Sequence, residues 1–326
     1  MTGWRSACAL CVGLLTVPQP PAYAAADGPV ASSRLCTLQD AEVFESSGLV
    51  DRGDVLFTTN DSGDEAVVYG LDPADCRTVS RTGYAEEVDD VEALAPGAGG
   101  AVWVGDVGDN RRRRDEIVAH RIRPDSGDQP GDRFSLVYPD GAHDAEAMLV
   151  HPRTQRVFVV SKSVFGGTVY VAPRRLAEGS PNRLTAFAAV RGLVTDGAFF
   201  PDGRRVLLRG YGTASVYTFP GFGHVGTVRL PAQAQGEGVS VGADGRVLLS
   251  SEGVRTDVLE VRLPAALGAS PVASASPVPR PPQRTQERVQ PPPRDARDWT
   301  AIALVAVAVA ALGWATVRAS RVRGPR

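Results

Sequence analysis

A repeated pattern is the feature that most constrains the fold of this chain. In each copy, a polar or acidic residue opens a short apolar strand, a Gly/Pro/Asp turn follows, and a Val-rich strand ends in a small polar loop. The openers lie 41 to 54 residues apart, at Ser47, Glu92, Glu146, Asp196 and Glu237. This period is typical of the four-stranded blades of a β-propeller. The sequence therefore predicts an all-β, five-bladed propeller.

The two ends of the repeat region predict how the ring closes. The fifth copy stops after its third strand, at 258–264, whereas residues 33–39 precede the first opener and have the pattern of a strand. An N-terminal outer strand in the last blade would complete that blade. It would also remove the exposed edges that an open sheet leaves. Six blades are the alternative if a longer interval contains a degenerate copy.

The chain ends have the composition of targeting and membrane segments. Residues 1–24 have the basic start, apolar stretch and small-x-small ending of a signal peptide. Residues 265–297 are a Pro-rich linker. Residues 299–317 carry no charge and could cross a bilayer core of about 30 Å as a helix, with a buried core helix as the alternative. Residues 318–326 are basic, as expected of a cytoplasmic tail.

This organisation predicts a single-pass protein of the cell membrane, with the propeller of residues 34–264 outside the cell and the C-terminus in the cytoplasm. That region carries eight more acidic than basic residues, which disfavours nucleic acid as a partner. We expect a monomeric ectodomain. Cys36 and Cys76 remain after removal of the signal peptide, and an even pair in an exported chain predicts a disulfide, with two free thiols as the alternative.

In a propeller, the connections into the inner strands and the loops after the second strands share one rim. The acidic openers Glu92, Glu146, Asp196 and Glu237 would converge there, and carboxylates at close range repel one another unless protonated, paired or bound to a cation. Their oxygen atoms suit Ca²⁺ or another divalent cation, and no other cofactor is expected. The candidate ligand-binding residues of the rim loops are Asn60, Asp61, Asn110, Lys162, Arg209, Tyr211 and Glu252.

Two alternatives explain the acidic openers without a metal. Their side chains could accept hydrogen bonds from backbone amides of the next blade and hold the ring together. Lys162 and Arg209 could also neutralise Glu146 and Asp196 directly. The sequence leaves all three readings open.

The loop at 106–114, DVGDNRRRR, is the most unusual segment of the rim. Asp106 and Asp109 are candidate catalytic bases there, and the arginines could hold a phosphate or carboxylate group. An ordinary turn with a solvated basic surface is the alternative. The sequence has no nucleophile elbow, zinc-protease motif or phosphate-binding loop, so an enzyme of this kind would use carboxylates and a metal.

Four paired motifs carry a family resemblance over residues 34–264. They are ESSGLV with LFTTNDSGDEAVVYGLD, DDVEALA with VWVGDVGDNRRR, DAEAMLVHP with FVVSKS, and GEGVSV with LLSSEG. On these motifs the chain resembles exported bacterial β-propellers of the WD40/YVTN-like superfamily, in particular the esterase-like phytase group. Phytase-like propellers, and lactonase propellers similar to regucalcin, hold Ca²⁺ or another divalent ion with carboxylates around the central channel.

The resemblance implies metal or catalytic roles for Glu92, Glu146, Glu237, Asp106 and Asp109. The chain departs from a uniform acidic rim at Ser47, Lys162 and Arg209, and it lacks the basic surface expected for phytate.

Two functions follow from these observations. The first is a membrane-anchored binding or scaffolding module for a protein, glycan or small ligand. The alternative is a divalent-metal-dependent hydrolase of a phosphoester, ester or lactone. The sequence alone leaves open whether the protein is an enzyme.

Overall fold

The structure is a computed structural model that describes residues 28–61 and 65–268. The chain separates into two units, 1–274 and 275–326, and all described residues belong to the first. The predicted signal peptide, most of the linker, the membrane helix and the basic tail lie outside the described residues. Within the described part, no helix has the length and apolar character needed to cross a membrane.

The described residues form five antiparallel blades, numbered here in chain order after the first strand, β1 (Ser32–Thr37). Blade 1 contains β2 (Ser46–Asp51), β3 (Leu56–Asn60), β4 (Val67–Leu71) and β5 (Thr78–Gly83). Blade 2 contains β6 (Val91–Pro96), β7 (Val102–Asp106), β8 (Ile117–Ile122) and β9 (Asp132–Val137). Short 3-10 helices span Ala98–Gly100 and Pro124–Ser126.

The remaining strands complete the ring. Blade 3 contains β10 (Ala145–Val150), β11 (Val157–Ser161), β12 (Thr168–Val171) and β14 (Thr185–Ala189), while the two-residue β13 (Asn182–Arg183) adds to the edge of blade 2. Blade 4 contains β15 (Asp196–Phe199), β16 (Arg205–Arg209), β17 (Thr213–Thr218) and β18 (His224–Arg229). Blade 5 contains β19 (Val239–Val241), β20 (Val247–Leu249), β21 (Asp257–Val261) and β1.

The expected closure is confirmed. Strand β1 pairs antiparallel with β21, from Ser32 opposite Val261 to Thr37 opposite Asp257. The inner strands β2, β6, β10, β15 and β19 contact one another in that order, and β19 contacts β2. The described residues therefore form a closed, all-β propeller of five blades, and the six-bladed alternative is not observed among them.

The hydrophobic core consists of five clusters, each lying between two neighbouring blades. Between blades 1 and 2, for example, Phe57 packs with Leu94 and Val104. Between blades 5 and 1, Leu248 packs with Leu49 and with the disulfide of Cys36 and Cys76, whose Cα atoms lie 5.5 Å apart. Because burial of each large apolar side chain stabilises the fold by about 1.5–3 kcal/mol, these clusters hold the inner strands in fixed positions around the channel.

Candidate functional site

Extra residues in the inner strands position three of the predicted rim side chains. In β2, Ser46 pairs with Asn60 and Gly48 pairs with Thr59, which leaves Ser47 as the bulged residue. The same offset leaves Glu92 unpaired in β6 and Glu146 unpaired in β10. A β-bulge turns the side chain of its extra residue away from the regular alternation of the strand. The polar opener is therefore the bulge residue in blades 1, 2 and 3.

Side chains from neighbouring blades meet at this end of the channel. The hydroxyl of Ser47 lies 2.9 Å from the carbonyl oxygen of Glu92 and 3.3 Å from its Oε2 atom. Single carboxylate oxygens of Asp61, Asp90 and Glu92 all lie within 4.8 Å of one another. Blades 1 and 2 thus supply a three-carboxylate cluster, called the acidic cluster below.

Two more buried glutamates extend the acidic cluster. Glu146 forms an ion pair with Lys162, and Glu237 interacts electrostatically with both Glu92 and Lys162. The Oε2 atoms of Glu146 and Glu237 are buried and have no hydrogen-bond partner among the described residues. Burying a carboxylate oxygen without a partner is costly, so the channel mouth contains unsatisfied acceptor atoms.

Burial and neighbouring carboxylates raise the pKa values of two glutamates at the mouth. Burial, followed by the neighbouring Asp61 and Asp90, raises the pKa of Glu92 from its ordinary 4.5 to about 10. Burial and the nearby Glu252 raise the pKa of Glu237 to about 7. Lys162 lowers both values but does not offset the burial of the carboxylates. Without a further cation, Glu92 therefore holds a proton at neutral pH.

The opener of blade 4 has different surroundings. Asp196 pairs regularly with Arg209 across the strands, and its carboxylate accepts hydrogen bonds from the amides of Gly197 (2.7 Å) and Val239 (2.6 Å). Val239 belongs to blade 5, so Asp196 joins two blades in the way that one of the alternative readings predicts. Burial raises the pKa of Asp196 well above its usual range.

The Arg209 side chain is also buried within this part of the ring. Its guanidinium donates to the carbonyl of Gly238, to the carbonyl of Ser250 (2.8 Å) and to the side chain of Gln233 (2.6 Å). Burial lowers its pKa to about 10. Asp196 and Arg209 therefore connect blades 4 and 5, and their metal-binding and ligand-binding roles stay predictions.

Asp106 and Asp109, the candidate bases, make contacts within the blade 2 loop. The Asp106 carboxylate accepts hydrogen bonds from the amides of Asp89 (3.2 Å) and Asp90 (2.9 Å), and from the Arg114 guanidinium (2.7 Å). Asp109 accepts from the amide of Arg114 at 2.8 Å. These contacts fix the segment that presents Asp90, and the catalytic role predicted for the two residues is untested.

The same loop borders a cleft of about 540 Å³ beside the acidic cluster. Asp90, Asp109, Asn110, Arg111 and Arg113 are among its lining residues. Asn110 and the three arginines at 111–113 are exposed. Gly108 donates its amide to the carbonyl of Asp90 at 3.0 Å, and a Cβ atom at this position would overlap the Asp90 carboxylate. The loop can therefore approach Asp90 closely only with glycine at 108.

The other predicted ligand-binding residues also lie at this rim. Asn60 is buried, with its carboxamide oxygen accepting from the amides of Phe44 and Glu45, each at 3.2 Å. Glu252 is half-buried, and burial raises its pKa with Asp61 as the next cause. Burial and the neighbouring Glu237 raise the pKa of Tyr211 to about 12. Asn60 thus shapes the rim, while Glu252 and Tyr211 border the mouth.

Sequence reasoning missed two contributors to this site, Asp90 and Arg114. Asp90 precedes β6 in the segment DDVEALA, where two successive acids next to a blade opener were the available signal. Arg114 is paired with Asp106 and with Asp89, at 3.3 Å. The sequence does not distinguish Arg114 from the three exposed arginines that precede it.

Comparisons with known proteins do not assign this chain to a family. No protein family and no curated protein matches the chain. Among solved structures, a gluconolactonase from Xanthomonas campestris is similar over 75% of this chain and 99% of that chain, with 16% sequence identity and a TM-score of 0.44. This likeness carries no conclusion about activity. The resemblance to the phytase group accordingly stays a prediction, whereas the five-bladed propeller rests on the strand pairing above.

Proposed function

We propose that this protein binds a divalent cation at the mouth of its channel and uses the cation to hold a small oxygen-containing ligand. The supporting observation is the acidic cluster of Asp61, Asp90 and Glu92 next to buried, unpartnered oxygen atoms of Glu146 and Glu237. Because like charges at this range disfavour one another's ionisation, a bound cation would relieve the repulsion within the cluster.

The donor set fits a hard cation. Every atom of the acidic cluster that could bind a metal is a carboxylate oxygen, which is the chemistry that Ca²⁺ and Mg²⁺ prefer. Asp61, Asp90 and Glu92 would hold the ion. Glu146 is already paired with Lys162, and Glu237 borders the ion site. We therefore propose Ca²⁺ as the first cation to test.

The test is thermal unfolding of the full-length protein, first treated with EDTA and then titrated with Ca²⁺, Mg²⁺ or Mn²⁺. A ligand bound only by the native state stabilises it by about 2.7 kcal/mol at a hundred times its Kd. For a domain of this size, the melting temperature should rise by roughly 5–10 °C.

Glu92→Gln tests the assignment to this cluster. Since Glu92 holds a proton at pH 7 without the cation, the amide should leave the EDTA-treated protein about as stable as before and remove the rise caused by Ca²⁺. Glu178→Gln is the matched control, because Glu178 is exposed and lies in the turn before β13. No rise with any of the three ions, or an equal rise in Glu92→Gln, would overturn the proposal.

A second candidate function is hydrolysis of an ester, lactone or phosphoester at the same mouth. Glu237 favours it, because a carboxylate with a pKa of about 7 is suited to accept a proton at neutral pH. Glu237 would take the proton from an attacking water, and the Lys162 ammonium group would stabilise negative charge on the substrate oxygen. A bound divalent cation would polarise the same carbonyl or phosphoryl oxygen.

The hydrolase reading is tested with a γ-lactone and p-nitrophenyl phosphate in saturating Ca²⁺. Replacement of a general base typically lowers kcat by about a hundredfold or more, so Glu237→Gln should do so while Glu178→Gln stays at the wild-type rate. If the wild type hydrolyses neither compound, or if Glu237→Gln is as active as the wild type, the cation site serves binding alone.

A further inference from the structure

The blade 2 loop carries arginines that the proposed function does not use. The arginines at 111–113 are exposed, and none of them forms an ion pair or a side-chain hydrogen bond within the described residues. Arg114, in contrast, is paired with Asp106 and with Asp89. Three guanidinium groups of this loop are therefore available to a ligand.

Two of these three arginines share a cleft with the acidic cluster. Arg111 and Arg113 line the cleft of about 540 Å³ that Asp90 also lines, called the arginine cleft below. Arg113 also borders a second cleft, of about 300 Å³, and Arg112 lines only that second cleft. A cavity of the size of the arginine cleft suits a small molecule. A ligand bound there can reach both the acidic cluster and two guanidinium groups.

Backbone and side-chain contacts hold the arginine loop in place. The amide of Arg112 donates to the carbonyl of Asp109 at 2.8 Å and closes a turn over residues 109–112. The amide of Asp109 donates to the carboxylate of Asp144 at 3.0 Å, and the Arg114 guanidinium donates to the carbonyl of Gly108 at 2.9 Å. Because the turn is fixed before a ligand arrives, its backbone loses little freedom on binding.

The charges of the arginine cleft favour a ligand with a single negative charge. Three carboxylates and three guanidinium groups line the cleft: Asp89, Asp90, Asp109, Arg111, Arg113 and Arg114. Since Arg114 is already paired, Arg111 and Arg113 can donate charge-assisted hydrogen bonds to an anion. A dianion would bring its second charge close to the three carboxylates, which would repel it. A positively charged ligand would be repelled by the two arginines and by the bound cation.

We propose, on the basis of the cation site described above, that the ligand is a small monocarboxylate bound in the arginine cleft. One carboxylate oxygen would face the cation at the acidic cluster, and the other would accept hydrogen bonds from Arg111 and Arg113. The cation and the carboxylate would each strengthen binding of the other, because each supplies the charge that the other attracts. Asp90, which belongs to the acidic cluster and lines the cleft, connects the two sites.

The test measures Ca²⁺ binding to the full-length protein by calorimetry in the presence of three probes. Glycolate is the monocarboxylate, glycolamide is its neutral counterpart, and methyl phosphate is the dianion. Saturating glycolate should lower the Kd for Ca²⁺ by about fivefold or more, as a coupling of ordinary size predicts. Glycolamide, and sodium chloride at the same ionic strength, should not lower it. Methyl phosphate should have a smaller effect than glycolate.

Arg111→Gln tests the assignment to the arginine cleft. Glycolate binding in saturating Ca²⁺ should weaken about tenfold in this variant, as loss of a charge-assisted hydrogen bond predicts. Arg112→Gln is the matched control, because it removes the same charge from the same exposed loop but from a residue that does not line the arginine cleft. Its glycolate affinity should stay within about twofold of the wild type, since water and salt screen the distant charge.

The outcomes separate this inference from the proposed function. A Ca²⁺-induced rise in melting temperature without any effect of glycolate overturns the carboxylate inference alone. So does equal weakening of glycolate binding by Arg111→Gln and Arg112→Gln, an effect of glycolamide equal to that of glycolate, or a larger effect of methyl phosphate. Equal glycolate binding with and without Ca²⁺ also overturns it. Absence of the Ca²⁺ effect itself overturns the cation site and this inference with it.

Discussion

Blades 2 and 3 use the opener position of the repeat differently from blade 4. In blades 2 and 3 the opener is the extra residue of a bulge, and the carboxylates of Glu92 and Glu146 belong to the channel mouth. In blade 4 the opener Asp196 lies directly opposite Arg209 in a regular strand pair. Its carboxylate accepts two backbone amides, one of them from the next blade.

This difference shows that the strand register, rather than the residue type, decides what an acidic opener does. A regular pair brings the Asp196 carboxylate within reach of amide donors, which satisfy it. The bulge removes Glu146 from the ladder and leaves one of its carboxylate oxygens without a hydrogen-bond partner among the described residues. An acid of the first kind stabilises the ring, and an acid of the second kind is available to a ligand.

Asp196→Ala should give the largest effect. It leaves the amide of Val239 and the buried Arg209 without their acceptor or charge partner, so it should lower the free energy of unfolding by about 3–5 kcal/mol. Chemical denaturation of the EDTA-treated protein measures this loss. The Ca²⁺-induced rise in melting temperature should persist in the variant. If the variant is stable but no longer responds to Ca²⁺, the opener of blade 4 contributes to the cation site, like the openers of blades 2 and 3.

At low pH, the free energy of unfolding should depend on a histidine in the interior of blade 2. His120 in β8 is buried against Tyr84, and burial lowers its pKa to about 4. The unfolded chain therefore binds a proton that the folded chain does not, and the contribution of His120 to stability should fall by up to about 3 kcal/mol as the pH drops from about 6.5 to 4, opposite in sign to the contribution of Glu92. Denaturation curves of the wild type and of His120→Gln across this range isolate this contribution as the difference between the two proteins. Exchange of the exposed His224 for Gln should give no such difference.

At higher pH, the free energy of unfolding should depend on the ionisation of Glu92 at the channel mouth. Because the pKa of Glu92 is raised from 4.5 to about 10, the folded protein without cation holds a proton that the unfolded chain has lost, and its stability should fall as the pH rises between these values. The cation must displace this proton, so Ca²⁺ affinity should rise by about tenfold per pH unit near neutrality. Calorimetry in two buffers of different ionisation enthalpy measures the proton released. Binding without proton release would contradict this account.

Gly108→Ala should give the smallest effect of the series. The added methyl group would overlap the Asp90 carboxylate and displace it from the acidic cluster. We expect Ca²⁺ affinity to fall about tenfold, or about 1.4 kcal/mol, with little change in the stability of the EDTA-treated protein. Gly212→Ala, in another rim loop with open space around it, is the control. Unchanged affinity in Gly108→Ala would place Asp90 outside the ion site.

The blades could be predicted from the sequence because their spacing follows from four strands per repeat. The closing strand was predictable for a related reason, since a fifth copy with three strands requires a fourth from elsewhere. The bulges were not predictable. A one-residue offset between β6 and β7 changes which side chain lacks a cross-strand partner but leaves no mark on the repeat spacing.

The structure brings many of the predicted rim residues together, and the roles predicted for them stay predictions. The positions of Glu92 and Lys162 in the repeat were sufficient to predict that they lie at the rim. Arg209 was expected to meet a ligand, but it is buried and donates to carbonyls of blade 5, because a long side chain at the end of a short strand can reach the neighbouring blade. The exposed apolar side chains of the rim loops were missed, since single residues such as Phe165 in polar loops give no periodic signal.

The pairing of β1 with β21 has a consequence for how the molecule is made. Thr37 and Asp257 are hydrogen-bonded across 220 residues of chain. Strand β1 therefore has no partner until the last blade has left the ribosome. Contacts of such long range slow folding, and an interrupted chain would lack β21 and leave β1 without a partner, free to associate with other strands. Completion of the ring thus depends on an intact C-terminal blade, and chains that stop early should be recovered mainly as aggregates.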